Sequence, residues 1–151
     1  MKFIGIFTAL IFAAGMSAKA QSAEDSVKMV INNLFAAMKQ GDGRSLQNCF
    51  ADSALLQTVS RNKAGETIVR NEPVSDFVAF ISRETKGNAD ERITFETIKI
   101  DGNLAMAWTP YQFYYKGQFS HCGVNSFQLV RMNNGWRVQY IIDTRRKAGC
   151  N

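Results

Sequence analysis

Residues 125–146 read NSFQLVRMNNGWRVQYIIDTRR, and the turn in their middle decides the fold. Phe127 and Leu129 before it, and Trp136, Val138, Tyr140 and Ile142 after it, recur at every second position. That is the period of a strand with one buried face. Between them Asn134-Gly135 is a strong hairpin signal, because a tight two-residue turn needs residues that tolerate positive φ. Upstream, LAMAWTPYQFYY (104–115) and FSHCGVNSFQLVRM (119–132) flank Lys116-Gly117, and RITFETIKI (92–100) runs into Asp101-Gly102-Asn103. The C-terminal half therefore reads as an antiparallel meander of long strands.

The first half has a different period. SAEDSVKMVINNLFAAMKQG (22–41) opens with Ser22 as a cap and places Glu24 and Asp25 where the helix dipole favours acids. Val27, Val30, Ile31, Leu34, Phe35 and Met38 then form one helical face, which Gly41 stops. A shorter helix follows in GRSLQNCFA (43–51). ALLQTV (54–59) and ETIVR (66–70) are short strands either side of a turn-rich segment. EPVSDFVAFISRET (72–85) returns to helix, with Val74, Phe77, Val78 and Ile81 as its apolar stripe. Helices that precede a long meander define an α+β fold. The expected architecture is a curved antiparallel sheet wrapped around N-terminal helices, a cone with a central pocket.

The chain has 151 residues, the size of one domain. Residues 1–20 read as a signal peptide: Lys2 is a basic start, FIGIFTALIFAAGM an apolar core, and Ala18-Lys19-Ala20 a small-x-small cleavage pattern. The mature domain is then 21–151, exported to a periplasm or secreted, with no membrane association after cleavage. Losing Lys2 and Lys19 lowers the formal charge from +5 to +3. What remains clusters at Arg145, Arg146 and Lys147 rather than along a stripe, so nucleic-acid binding is not expected. Three cysteines, Cys49, Cys122 and Cys150, allow at most one internal disulfide. One histidine and scattered cysteines offer no metal-ligand spacing, and no cofactor is expected.

The stretch AAMKQGDGRSLQNCFADSALL (36–56) resembles the helix-Gly-Asp-helix-Phe-x-Asp opening of the nuclear-transport-factor-2-like superfamily, which includes SnoaL-like and ketosteroid-isomerase-like branches. The Gly-Trp after the last turn is similar to that superfamily's final hairpin. More narrowly, IDGNLAMAWTPYQFYYKGQFSHCGVNSFQLV (100–130) followed by IIDTRR (141–146) resembles exported members labelled as lumazine-binding. The resemblance implies a cystatin-like cone, a small heteroaromatic ligand and a homodimer formed through the sheet. Its enzymes, isomerases and dehydratases among them, work by proton transfer within the cavity.

Which side chains share that cavity depends on register. With Lys116-Gly117 as a two-residue turn, Tyr115 opposes Gln118, Gln112 opposes His121 and Trp108 opposes Asn125. With Asn134-Gly135 likewise, Asn125 opposes Thr144. Alternation then collects Trp108, Gln112, Tyr114, His121 and Asn125 on one polar-aromatic face, the candidate ligand pocket. Tyr111, Phe113, Val124, Val130, Ile141 and Asp143 fall on the opposite face, whose apolar character suits a homodimer. A single β-bulge would reverse part of this pattern and turn Asp143 and Arg145 inward. Arg145 is in any case a candidate rim contact for an anionic group.

His121 is the one side chain whose ordinary pKa lies near neutrality, hence the candidate catalytic acid or base. The inner face so drawn holds no carboxylate to pair with it. The leading expectation is therefore a small-molecule-binding domain. The alternatives are a lyase or isomerase that uses His121 for proton transfer, and a pocketless structural or partner-binding module.

Overall fold

The computed structural model describes residues 22–150; the expected signal peptide lies outside them. Helix α1 (Ala23–Gln40) starts at Ser22, whose hydroxyl accepts from the Asp25 N–H at 3.0 Å, and ends at Gly41 in the left-handed conformation. Helix α2 (Gly43–Gln47) is capped by Asp42, which accepts from the Ser45 N–H. Strand β1 (Phe50–Arg61) and strand β2 (Thr67–Glu72) form a hairpin, and Pro73 introduces helix α3 (Val74–Ser82). The remainder is strand: β3 (Ala89–Ile93), β4 (Thr97–Asp101), β5 (Leu104–Tyr115), β6 (Gln118–Met132) and β7 (Gly135–Thr144).

The seven strands form one sheet in the order β2-β1-β7-β6-β5-β3, with β4 also paired to β5. The α+β class holds, but the sheet is mixed rather than antiparallel throughout. β1 runs parallel to β7, because α3 and the meander separate the two in sequence and no hairpin constrains their direction. The stretch 92–100, expected as one strand, is two. Thr94 donates to the Pro110 carbonyl at 3.0 Å, but Pro110 has no N–H to return. The ladder is interrupted there, and β3 and β4 each take one half of β5.

One face of the sheet is covered by α1, which lies over β3, β4 and β7, while α3 packs on β1 and α2. The core follows the predicted helix stripe: Val27, Ile31, Leu34, Leu46 and Ile81 meet Phe127, Leu129 and Val138 from the sheet, all essentially fully buried. Phe35 and Phe127 meet edge to face with ring centroids 6.1 Å apart. Each such residue removed from water contributes roughly 1.5–3 kcal/mol, which makes α1 and the β6–β7 pair the main source of stability.

Two bulges set the register of the β5–β6–β7 meander. The Lys116-Gly117 turn forms as expected, with both residues at positive φ (52° and 78°). Tyr115↔Gln118 and Tyr114↔Phe119 pair as counted, but the next pair is Phe113↔His121. Ser120 is thus an extra residue on β6. The other turn is Asn133-Asn134, not Asn134-Gly135, and Met132 pairs with Gly135. Neither asparagine takes positive φ; Gly135 does, at 110°. Further along, Leu129↔Val138 is followed by Gln128↔Tyr140, which leaves Gln139 as the extra residue on β7.

Candidate functional site

The bulge at Ser120 reverses the side chains of β5 relative to His121. Thr109, Tyr111 and Phe113 point toward the helices together with His121 and Asn125, while Trp108, Gln112 and Tyr114 lie on the outer face. Trp108 is 41% exposed there, the Tyr114 hydroxyl donates to Gln112 Oε1 at 2.9 Å, and Tyr114 meets Phe119 edge to face. The face assigned to these three residues is therefore corrected, as is that of Tyr111 and Phe113. The Gln139 bulge does for β7 what a bulge was expected to do: Ile141 and Asp143 turn inward. His121, Asn125 and Arg145 are the sequence-chosen residues that the structure brings together.

They line a cavity of about 240 Å³ between α1, α3 and the sheet. One wall is apolar: Leu34, Phe35 and Met38 from α1, Phe77 and Phe80 from α3, and Phe113 and Phe127 from the sheet. The other is polar, with Glu91, Tyr111, His121, Asn125, Asp143, Arg145, Thr58 and Glu72. Cross-strand pairing arranges the inner face of the sheet in rows. Glu91, Phe113 and His121 sit side by side on β3, β5 and β6. Thr109, Asn125, Asp143 and Thr58 form a row across β5, β6, β7 and β1.

Within the wall, Asn125 Nδ2 donates to Glu91 Oε1 at 2.7 Å. Arg145 Nε donates to Asp143 Oδ2 at 2.8 Å and its Nη2 to Thr58 Oγ1 at 3.1 Å. The Tyr111 hydroxyl lies 2.9 Å from the Thr144 carbonyl and 3.1 Å from Asp143 Oδ2. Its single proton is shared between two acceptors of the fold, so it is not free to serve a ligand. Gly123 makes this reach possible. A Cβ there would stand 1.7 Å from the Thr144 oxygen and 2.9 Å from the Tyr111 ring, so only glycine lets the phenol cross β6.

The electrostatics follow from the packing. Burial pushes the Glu91 carboxyl up to about 7; the Asn125 hydrogen bond opposes the shift and the nearby Asp143 charge adds to it. Burial, then the Asp143 charge, raises the Tyr111 phenol, which stays protonated. His121 is lowered from 6.5 by burial and then by Arg145, so its imidazole is neutral at pH 7. Its Nδ1 lies 3.0 Å from Ser120 Oγ, and its ring packs edge to face on Tyr111 and tilted on Phe113. For Arg145 burial works against the charge, but the Asp143 carboxylate more than offsets it.

Glu91 is the residue that sequence reasoning missed. The expected strand at 92–100 leaves it out by one residue, whereas β3 begins at Ala89. The alternation of Ala89, Glu91 and Ile93 with charged Asp90 and Arg92 was the available signal. Among the described residues no group of three or more His, Cys, Asp or Glu side chains is placed to hold a metal ion. No described helix is long and apolar enough to cross a membrane. Cys122 and Cys150 form a disulfide, while Cys49 is free and buried. The disulfide, with mutual backbone hydrogen bonds between Cys122 and Arg146, ties the tail to the outer side of β6 just beyond Arg145.

Helices on one side of an open, bulged sheet, with a cavity between, define the nuclear-transport-factor-2-like, cystatin-like class. Solved structures agree. A protein of unknown function from Shewanella baltica OS155 superposes with a TM-score of 0.64 at 14% identity, over 83% of this chain and 94% of that one. One from Methylobacillus flagellatus KT gives 0.62 at 20% identity, over 87% and 99%. A structure described as a "putative dehydratase" of the same class, from Streptomyces avermitilis, gives 0.60 at 14% identity, over 82% and 96%. Within that class the chain belongs to the family described as "Putative lumazine-binding", whose sequence profile matches residues 22–139. No curated protein matches it.

Proposed function

We propose that this is an exported domain that binds a small, flat, partly aromatic molecule in the cavity beneath α1 and α3. One observation carries the reading: a phenylalanine-rich wall faces convergent polar groups across about 240 Å³, the combination that small-molecule sites use for affinity and orientation. The family description points the same way. Native mass spectrometry of the protein purified from its source tests it. A retained small molecule that is lost in Phe113→Ala supports the reading; a bare chain, with no ligand found by soaking, refutes it and leaves the partner-binding module.

The same spectrum reports subunit number. A homodimer through the outer sheet face is supported by Leu104, Trp108, Phe119 and Met132, each at least 41% exposed there.

A second reading, a lyase or isomerase, is favoured by Glu91, a carboxyl near 7 in the same cavity as His121. It supplies the acid–base partner that the imidazole lacked. If the bound molecule is turned over, and His121→Ala or Glu91→Gln abolishes turnover but not binding, this reading prevails. Recovery of the ligand chemically unchanged dismisses it.

A further inference from the structure

The cavity carries more negative than positive charge. Glu72, Glu91 and Asp143 line it against one permanent cation, Arg145. That guanidinium is already committed, to Asp143 and to Thr58. His121 brings no charge at neutral pH. Glu91 differs from Asp143, which is paired with Arg145. Its hydrogen-bond partner is the neutral Asn125 amide, and the ion pairs among the described residues involve Glu24, Asp90 and Asp143 instead.

A carboxylate buried without an ion-pair partner is costly, because one amide hydrogen bond and the more distant Arg145 charge do not replace its hydration. Here the cost falls beside Phe113, the next residue in its row, in a cavity that Phe77 and Phe80 of α3 also line. Glu91 is not part of a metal-ligating cluster, since no group of three or more His, Cys, Asp or Glu side chains is placed to hold an ion among the described residues. A proton relieves the cost up to about pH 7; above that, relief comes from a cationic organic molecule whose remaining surface suits phenylalanine. Resting on the binding reading above, we propose that the occupant is an aromatic cation, its ring against Phe113 and the α3 phenylalanines and its protonated nitrogen on Glu91.

Three probes with one ring and different charge test this: tryptamine, tryptophol and indole-3-acetate, titrated calorimetrically into the disulfide-bonded protein at pH 8. Tryptamine is expected to bind about tenfold or more tighter than either of the others, the margin of a charge-assisted contact over a neutral one. In Glu91→Gln that preference should collapse through loss of tryptamine affinity, with tryptophol affected far less. Equal affinities, preference for indole-3-acetate, no tryptamine binding in the millimolar range, or a preference that survives Glu91→Gln each overturns the proposal. The comparison on the unsubstituted protein decides the sign even if the variant does not fold. Binding of tryptophol or indole-3-acetate without a tryptamine preference would keep the ligand seat and reject only its charge class; no retained ligand and no binding by any probe would reject both.

Discussion

Replacement of Glu91 by glutamine should stabilise the fold, and by an amount that depends on pH. The amide can still accept from Asn125 Nδ2 through its oxygen, so the contact at 2.7 Å is kept while the charge is lost. Burial holds the carboxyl at about 7 in the fold against 4.5 for a free one. Each tenfold change in acidity is worth about 1.4 kcal/mol, so ionised Glu91 costs the folded state about 3 kcal/mol. The sign follows from which state binds the proton more tightly. Below pH 4.5 the group is protonated in both states and costs nothing. Between 4.5 and 7 the unfolded chain ionises while the fold holds its proton, and stability falls as pH rises. Above 7 the penalty is complete. Urea unfolding at pH 4, 6 and 8 should therefore give equal stabilities for the two proteins at pH 4 and a Glu91→Gln advantage approaching 3 kcal/mol at pH 8. Every other ionisable group is common to the two proteins and largely cancels in the difference. An advantage that is the same at all three values, or one that shrinks as pH rises, would show that Glu91 is solvated and that the cavity is wet.

Three further outcomes follow from the same wall. Gly123→Ala should cost several kcal/mol or prevent folding, since its Cβ would overlap the Thr144 carbonyl at 1.7 Å; a thermal midpoint within a degree of the parent would contradict the packing. Tyr111→Phe should lose about 1–2 kcal/mol, and a cycle with Asp143→Asn should show coupling, because the hydroxyl touches that carboxylate. Reduction of Cys122–Cys150, which closes a loop with a separation of 28 residues, should lower stability by up to about 3.5 kcal/mol from chain entropy. It should also free the tail near Arg145, seen as faster amide exchange at Thr144 and Arg146; unchanged exchange would mean that backbone pairing alone holds them.

The elements were legible because each has one dominant period. Val27 through Met38 fixed α1 and its buried face, and the Lys116-Gly117 turn formed where it was expected. The site was less legible, for two reasons. A bulge residue has no compositional mark: Ser120 and Gln139 are ordinary strand-compatible residues, and each moves every later assignment by one. Hence His121 and Asn125 were placed inside, but Trp108, Gln112 and Tyr114 were chosen where Tyr111 and Phe113 belong. Glu91 was lost because the turn-forming run Lys86-Gly87-Asn88 before Ala89 outweighed a strand of only five. Asp143 was reachable only as the consequence of a bulge that sequence alone could suggest but not locate.

The extra residue at Ser120 sits only two positions into β6, next to the loop end. Insertion or loss of one amino acid there would leave the hydrophobic content of the strands unaltered yet exchange which row of β5 faces the interior, trading Tyr111 and Phe113 for Gln112 and Tyr114. The lining of this chamber is thus written in chain length as much as in chemistry. A lineage could acquire a new occupant through a single codon gained or lost at a hairpin, with no need to mutate the chamber residue by residue.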